Sequence, residues 1–279
     1  MRNNVPSYYI LNTVKWAFLV SLLLVAFLPL VWLLISSFRT NLELAISPLG
    51  WPERFQWENY LRALTMAHLP RLFFNSIIVA AFAVMLNLSV TSLAGFVLSR
   101  EHFRGREIVH TFLTAGVLIP IMAFLVPYFI LITRLRLFDS LLALILIYAA
   151  VNIPVSIFII TAFMKSIPRE LEEAAIIDGC GFKTRFLRII LPLSQSGLAT
   201  AGTFAFIYSW NEFVQALLFT RSLNARTVQV GIRFFTSQFI TDHASMYAAV
   251  VITIIPAIIA YIIFHDKIIG GLVAGSVKG

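Results

Sequence analysis

The sequence predicts an all-α membrane protein with six transmembrane helices, and three features of its 279 residues indicate this fold class. Hydrophobic residues make up 59% of the chain and charged residues 12%, whereas a soluble domain carries about 25% charged residues. The mean hydropathy is +0.89. The charged residues flank six long apolar runs, each close to the ~20 residues that cross the hydrocarbon core of a bilayer.

The six predicted spans follow one another along the whole chain. They cover residues 16–38, 72–99, 111–133, 140–164, 194–220 and 244–264. An even number of spans places both termini on the same side of the membrane. Lysine and arginine are slightly enriched in the segments on the side of the N-terminus, which predicts cytoplasmic N- and C-termini.

Without low-complexity tracts or internal repeats, the chain is expected to form one transmembrane domain, residues 1–279. Its predicted parts are a peripheral N-terminal segment with the first span (1–38), core spans (72–264), a surface segment (165–193) and a tail (265–279). The N-terminus lacks a small-residue cleavage site and is expected to be retained. The net charge of +8 fits anionic lipid headgroups better than nucleic acid.

The surface segment, residues 165–193, is the most charged stretch of the chain and is predicted to contain a helix. Pro168 suits the first helical turn, where its missing N–H costs nothing. Glu172 and Glu173 follow near the helix N-terminus, where the helix dipole favours negative charge. Gly179 stands where a left-handed residue would end the helix.

One face of this helix is predicted to carry Leu171, Ala174 and Ala175, which follow i, i+3, i+4 spacing. Two alanines would let another backbone approach closely. Gly181 offers a second hinge, and a short second helix is expected after it. Phe182, Phe186 and Ile189 are expected to lie along one side of that helix. Glycine-broken helices between two spans would form a stiff lever that a soluble partner could push.

Several enzymatic chemistries are excluded by missing motifs. A phosphate-binding P-loop needs lysine directly after glycine, and this dipeptide does not occur in the chain. The HExxH and GxSxG motifs are also missing, and the five histidines are scattered. The single cysteine, Cys180, allows no internal disulfide. The sequence therefore predicts a chain that is not an enzyme and holds no metal.

Polar residues inside spans are candidates for a solute path, because such residues are usually functional in a membrane. Asn152, Asn211 and Glu212 are the candidates here. For Asn211 and Glu212, lining a pore and pairing two helices are both open, and Glu212 could instead reach water at the outer boundary.

The surface segment resembles the EAA loop of bacterial ABC importer permeases. That pattern is Glu-Ala-Ala, three residues, glycine, nine residues and Ile-x-Leu-Pro. Every fixed position is matched, from Glu173 through Gly179 to Ile189 and the pair Leu191 and Pro192. The stretches PLVWLLISSFRT, NSIIVAAFAV, SWNEF and GGLVAGSVKG are similar to the carbohydrate-importer branch, which takes up maltose, oligosaccharides, alditols or glycerol phosphates.

The resemblance implies an importer subunit that forms half of a translocation pore in a bacterial or archaeal plasma membrane. Its implied partners are a second homologous permease, two ATP-binding subunits and an extracytoplasmic solute-binding protein, with membrane lipids around the spans. ATP and Mg²⁺ would be bound by the ATP-binding subunits, so this chain would carry no cofactor. The loop 221–243 is expected to contact the binding protein, and the alternative is a re-entrant or interfacial loop.

The resemblance also implies two contacts with the ATP-binding subunits. The docking residues would be Glu172, Glu173, Ala174, Ala175, Asp178, Gly179, Gly181, Leu191 and Pro192. The tail would add Gly271, Leu272, Gly275 and Lys278, although a frayed terminus would look the same.

Two other functions remain alternatives. A secondary transporter that works alone would show inverted repeats or several charges within its spans, and neither is found. An ABC permease for amino acids or peptides would share the fold, and only the tail and SWNEF favour a carbohydrate over those solutes.

Overall fold

A computed structural model describes the backbone of residues 5–66, 68–235 and 242–276 and the side chains of residues 11–65, 68–235 and 242–265. Nearly all of this described part is helical, and it contains no β-strand. The all-α prediction is therefore confirmed.

Three helices are long and apolar enough to cross a membrane without a break. Helix α1 (Val5–Ser36) contains the first candidate span, Leu11–Ser36. Helix α4 (Leu69–Arg100) forms a second. Helix α15 (His243–Ser276) contains the third, His243–His265.

Three further spans are bent helix pairs. The first joins α5 (Arg106–Ala115), two 3₁₀ turns (Gly116–Leu118 and Ile121–Phe124) and α6 (Leu125–Arg134), with a bend of 100°. The second joins α7 (Leu141–Val151) and α8 (Ile153–Ser166) at 47°.

Prolines stand at or beside these two breaks. Pro120 lies between the 3₁₀ turns, and Pro154 lies in the first turn of α8. A proline cannot donate the helical hydrogen bond, so the helix bends or restarts there.

The third bent pair includes the second half of the surface segment. It consists of α10 (Phe182–Thr184), a π-helix (Arg185–Ile190) and α11 (Leu191–Leu193), followed by α12 (Gln195–Asn211) after a bend of 75°. Counting each bent pair as one span gives the six spans that the sequence predicts.

The fifth span ends earlier than predicted. The apolar run continues to Thr220, but α12 ends at Asn211 and a separate helix, α13 (Val214–Phe219), follows. Glu212 explains the break, because its carboxylate accepts the backbone N–H groups of Gln215 and Ala216 and so caps a new helix. Apolar composition alone does not reveal this interruption.

The remaining helices are short. They are α2 (Asn41–Ile46), α3 (Glu58–Met66), α9 (Glu170–Ile177), α14 (Val228–Gly231) and a 3₁₀ helix (Ile232–Phe235).

The chain divides into two compact units. The smaller unit contains residues 1–67 and 234–252. Here Arg39 is buried, and its guanidinium donates to the carbonyl oxygens of Glu43, Ser47 and Pro48. Hydrogen bonds from Thr40, above all from its backbone N–H, lower the pKa of the Glu43 carboxyl. These bonds fold the segment after α1 into an ordered loop.

The larger unit, residues 68–233 and 253–279, is built around α4, which packs against α7, α8 and α12. Two apolar cores lie along α4. One includes Val79 with Leu144 and Phe219, and the other includes Phe96 with Met164. The second core lies next to the surface segment.

Gly95 provides a test of the α4–α8 packing. A Cβ atom at this position would lie 2.7 Å from Cγ2 of the buried Ile160, which is closer than packed atoms approach. Gly95→Val should therefore lower the midpoint of thermal unfolding in detergent, since overpacking costs about 1–3 kcal/mol. Ala94→Val is the matched control, because Ala94 borders an open groove. Equal midpoints for the two variants would contradict the tight packing at Gly95.

Candidate functional site

The first helix of the surface segment ends as its sequence predicts. Gly179 has a φ of +80°, which is the left-handed conformation. The N–H of Gly179 donates to the carbonyl oxygen of Ile176, and the N–H of Cys180 donates to that of Ala175. This pair of bonds is the Schellman motif, which satisfies carbonyl groups at a helix C-terminus. The predicted second hinge is different, because Gly181 has an ordinary φ of −73°.

The second half of the segment lies against α4. Phe182 and Phe186 place their rings 5.1 and 5.4 Å from the ring of Phe96. Ile189 packs against the same core, so the predicted apolar side of this helix is confirmed. The π-helical turn was not predicted. Such turns occur often at functional sites.

The faces of α9 differ from the prediction that Leu171, Ala174 and Ala175 share one face. Glu172 and Ala175 are buried, whereas Leu171 and Ala174 are exposed. The reason is that a charged partner for Glu172 lies inside, which turns that side of the helix toward the protein. The alanine pair is thereby split between the two faces.

The outer face of α9 consists of Leu171, Glu173, Ala174 and Ile177, all exposed. Ile177 is 86% exposed and Leu171 is 48% exposed. Among the other predicted docking residues, one is half-buried, Leu191. The exposed ones are Asp178, Gly179, Gly181 and Pro192. Apolar side chains beside an acidic residue on a projecting helix form a surface that a soluble partner could cover.

The inner side of α9 faces a charge cluster formed by Arg100, Glu101, Glu172 and Arg185. Arg185 donates from Nη1 to Glu172 Oε1 at 2.5 Å and from Nη2 to Glu101 Oε1 at 2.9 Å. Arg100 Nε lies 3.8 Å from Glu172 Oε2. The side chains of Arg100 and Glu172 are 2% and 9% exposed, so these charges are largely removed from water.

Arg100 also caps the C-terminus of α8. Its Nη2 donates to the carbonyl oxygens of Met164 and Ile167, the latter at 2.8 Å. Positive charge is favourable at a helix C-terminus, where carbonyl groups lack helical partners. Arg100 directly follows the predicted second span, 72–99, and no local pattern reveals its pairing with residues more than sixty positions along the chain.

The predicted solute-path residues occupy different environments. Glu212 Oε2 accepts a hydrogen bond from the hydroxyl of Tyr148 at 2.8 Å, in addition to the two backbone donors of α13. This carboxylate therefore joins the fourth and fifth spans, as the helix-pairing alternative expects. Asn152 is buried and donates to the carbonyl oxygen of Tyr148, whereas Asn211 is exposed.

A second asparagine serves the break between α7 and α8. Asn87 Nδ2 donates to the carbonyl oxygen of Ala149 at 2.9 Å, and Ser156 donates to Asn87 Oδ1 at 2.7 Å. Both asparagine functions are thus used between α4 and the bent span. Side chains of this kind re-satisfy backbone groups that a break in a membrane helix leaves free.

The chain after α13 returns to α4. Asn75 Nδ2 lies within 3.2 Å of the carbonyl oxygens of Leu223, Asn224 and Arg226. The N–H of Val228 donates to Ser76 Oγ at 2.8 Å. These contacts hold the first part of the loop against the N-terminal turns of α4. Residues 236–241 of the predicted loop lie outside the described residues.

Asp139 fastens the start of the same loop. Its Oδ1 accepts the N–H groups of Arg221 and Ser222 at 2.7 and 2.9 Å. Burial acts to raise the pKa of this carboxyl, but the hydrogen bonds outweigh it and hold the pKa below its ordinary value. The carboxylate form, which can accept both bonds, is thereby favoured.

The predicted tail contact falls largely beyond the described part of the chain. Helix α15 includes the backbone of Gly271, Leu272 and Gly275, whose side-chain surroundings lie outside the described residues. Lys278 lies entirely outside them. The tail stays a prediction.

Six helical spans and a charged, glycine-broken segment held against their ends define a polytopic permease. Residues 88–269 match the family described as the binding-protein-dependent transport system inner membrane component. The chain belongs to this family, and it is a membrane-spanning transport subunit.

Curated relatives agree with this assignment. The sulfoquinovosyl glycerol transport system permease protein of Agrobacterium fabrum is 35% identical over 90% of this chain and 88% of its own. The trehalose/maltose transport system permease protein of Thermococcus litoralis is 34% identical over 92% and 93%.

Solved structures share the fold. A chain of a bacterial ABC transporter involved in the import of alginate aligns with a TM-score of 0.81 at 22% identity, covering 95% of this chain and 99% of that one. A second alginate transporter structure, in complex with an alginate pentasaccharide-bound periplasmic protein, aligns with a TM-score of 0.68.

Substitutions at Gly179 test the Schellman turn. A Cβ atom there meets nothing within 4 Å, so any penalty comes from the left-handed backbone alone. For residues other than glycine this conformation costs roughly 1–2 kcal/mol, less for asparagine and more for β-branched residues. We expect solute uptake in whole cells to decrease in the order Gly, Asn, Ala, Val. Full uptake by Gly179→Val would show that the turn is dispensable.

The Tyr148–Glu212 bond can be tested by a double-mutant cycle in detergent. Glu212→Gln should lower thermal stability by about 1–3 kcal/mol, because an amide cannot accept all three hydrogen bonds. Tyr148→Phe should cost less, and the double variant should cost less than the sum of the two. Strict additivity would mean that the two side chains do not interact. Asn211→Gln, on an exposed neighbour, serves as the control for introducing a glutamine at this depth.

Proposed function

We propose that this chain is one of two permease subunits of an ATP-driven importer and that it passes a carbohydrate-type solute into the cell. The observation that carries the proposal is the outer face of α9, which presents exposed apolar residues beside Glu173. The inner face of this helix is held through Glu172 and Arg100 to the ends of α4 and α8. A projecting face of this composition suits a groove on a soluble subunit. Movement of that subunit would then reach the spans.

The ATP-binding subunits would supply the energy. This chain contains no glycine–lysine dipeptide for a phosphate-binding loop, so ATP and Mg²⁺ would be held by two partner subunits. Closure of these subunits around ATP would displace α9 and shift the spans between inward-open and outward-open states. The tail with Gly271, Leu272, Gly275 and Lys278 would add a second contact.

A second permease and lipid would cover the remaining apolar surface. The most apolar stretch of α1 is exposed along its whole length. Within the larger unit, an apolar groove runs between α4, α12 and α15 and is lined by Phe73, Phe206, Trp210 and Ile259. Exposed apolar surfaces on a transport subunit suit contact with a homologous partner and with lipid acyl chains.

The solute class is inferred from the relatives, whose names specify sulfoquinovosyl glycerol and trehalose or maltose. Their sequence identity extends over almost the whole chain. Asn211 is the predicted solute-path residue with an exposed side chain, while Glu212 is engaged by three donors. We therefore propose that Asn211 lies in the solute path and that Glu212 joins the fourth and fifth spans.

The orientation completes the proposal. We place both termini and the surface segment in the cytoplasm, because short basic segments remain on that side. The loop that begins at Arg221 would then face outward, toward a solute-binding protein.

The proposal is tested by purifying the tagged chain from its native membrane. The expected co-purifying proteins are a second permease and an ATP-binding subunit, with ATP hydrolysis that rises when a sugar-loaded binding protein is added. A chain that transports alone in liposomes without ATP would instead be a secondary carrier. Stimulation by an amino acid or peptide receptor would reject the solute class but not the importer.

Ile177→Asp tests the docking face directly. A charge in place of this exposed isoleucine should reduce recovery of the ATP-binding subunit at least about tenfold, since burying an unpaired charge in an interface costs several kcal/mol. Lys183→Asp, an exposed position on the second helix, is the matched control and should retain recovery. Unchanged recovery with Ile177→Asp would remove α9 from the interface.

A further inference from the structure

We propose that Glu172 and Arg185 are positioning residues that lock α9 to the spans, and that docking to a partner is left to the neighbouring Glu173. This inference rests on the proposed function. The two adjacent glutamates point in opposite directions. Glu172 is buried, and Glu173 is exposed. The buried Glu172 can therefore hold α9 against the rest of the protein but cannot reach a partner on the outer face.

The charge cluster connects four separate elements. Glu172 belongs to α9 and Arg185 to the π-helix, while Arg100 and Glu101 stand at the end of α4. Arg100 adds α8 through its bonds to Met164 and Ile167. One carboxylate, that of Glu172, therefore meets both arginines, and each arginine reaches a further element.

The cluster has the properties of a rigid link. Arg185 binds two carboxylates through different nitrogens at 2.5 and 2.9 Å, and its guanidinium lies 5.9 Å from the centre of the Phe96 ring. Arginine holds such forked geometry through its planar guanidinium, which lysine lacks. Ion pairs shielded from water are also screened less by salt than surface pairs.

A rigid link between α9 and the ends of α4 and α8 would prevent α9 from rotating independently of the spans. The backbone joins α9 to α8 and to the second helix through short turns, and one of them contains Gly179 in the left-handed conformation. A push on the outer face could therefore rotate α9 at these turns without moving the spans. The charge cluster opposes that rotation, so displacement of α9 is passed to α4 and α8.

The test uses the complete transporter with its ATP-binding subunits and binding protein in proteoliposomes. Solute uptake and ATP hydrolysis are measured in the same vesicles, and their ratio is the readout. Glu172→Gln should retain the ATP-binding subunits but lower the ratio by about two- to thirtyfold, the range found when mutations weaken coupling between distant sites. Glu170→Gln, an exposed acid on the same helix, is the matched control and should keep the parental ratio.

Arg185 supplies the second line of the test. Arg185→Gln should lower the ratio as Glu172→Gln does, and the double variant should lose less than the two single losses combined, because both variants remove the shared Arg185–Glu172 bond. Arg185→Lys keeps the charge but loses the fork, so it should also lower the ratio. If Glu172→Gln fails to assemble, the ratio of Arg185→Lys decides.

Three results would overturn the inference. The first is a parental ratio in Glu172→Gln or, where that variant does not assemble, in Arg185→Lys. The second is loss of the ATP-binding subunits from Glu172→Gln with a normal ratio in the complexes that remain, because this identifies a docking residue. The third is full additivity of the two single variants. Failure of the proposed function is recognised separately, since the parental transporter itself would then show no ATP-driven uptake.

Discussion

The structure depends on one constraint, which is that backbone N–H and C=O groups inside a bilayer must find partners within the protein. Continuous helices such as α4 satisfy these groups through their own helical hydrogen bonds. The three bent spans do not, because every break frees backbone groups at membrane depth. Asn87 and Asn152 donate to two of these groups, the carbonyl oxygens of Ala149 and Tyr148.

Side chains satisfy backbone groups at two of the breaks, the one between α7 and α8 and the one between α12 and α13. Asn87 of α4 accepts from Ser156 and donates to the last turn of α7, next to the 47° bend. Glu212 caps α13 while it accepts from Tyr148 of the neighbouring span. The polar groups therefore join helices as well as repair them. This explains why polar residues in spans need not all touch a solute.

Much of the fold could be predicted from the sequence, because span length and glycine conformation are local properties. The six spans follow from apolar runs, and the end of α9 follows from Gly179. The break at Glu212 could not be predicted, since it depends on a carboxylate turning back onto its own backbone. The inward side of α9 was missed for a related reason. Its partner, Arg185, lies thirteen positions along the chain, beyond a turn whose direction the sequence does not determine.

The candidate site shows the same division between local and non-local information. The EAA pattern located the surface segment, and its exposed residues carry the docking proposal. The partners that hold the segment, Arg100 and Glu101, precede it by about seventy positions and belong to no motif considered with it. The pattern therefore identifies the residues that we propose to contact another subunit.

The contacts that hold the surface segment to its own protein are visible only in the structure. A buried charge is costly unless it is paired, and here the buried charges of Arg100 and Glu172 face each other. In this chain the set gathers the ends of α4 and α8 with both helices of the surface segment. The cost of burying Arg100 and Glu172, and of partly burying Arg185 and Glu101, is offset while these elements stay together. The same electrostatic balance that allows the cluster to form therefore makes the four elements move as one.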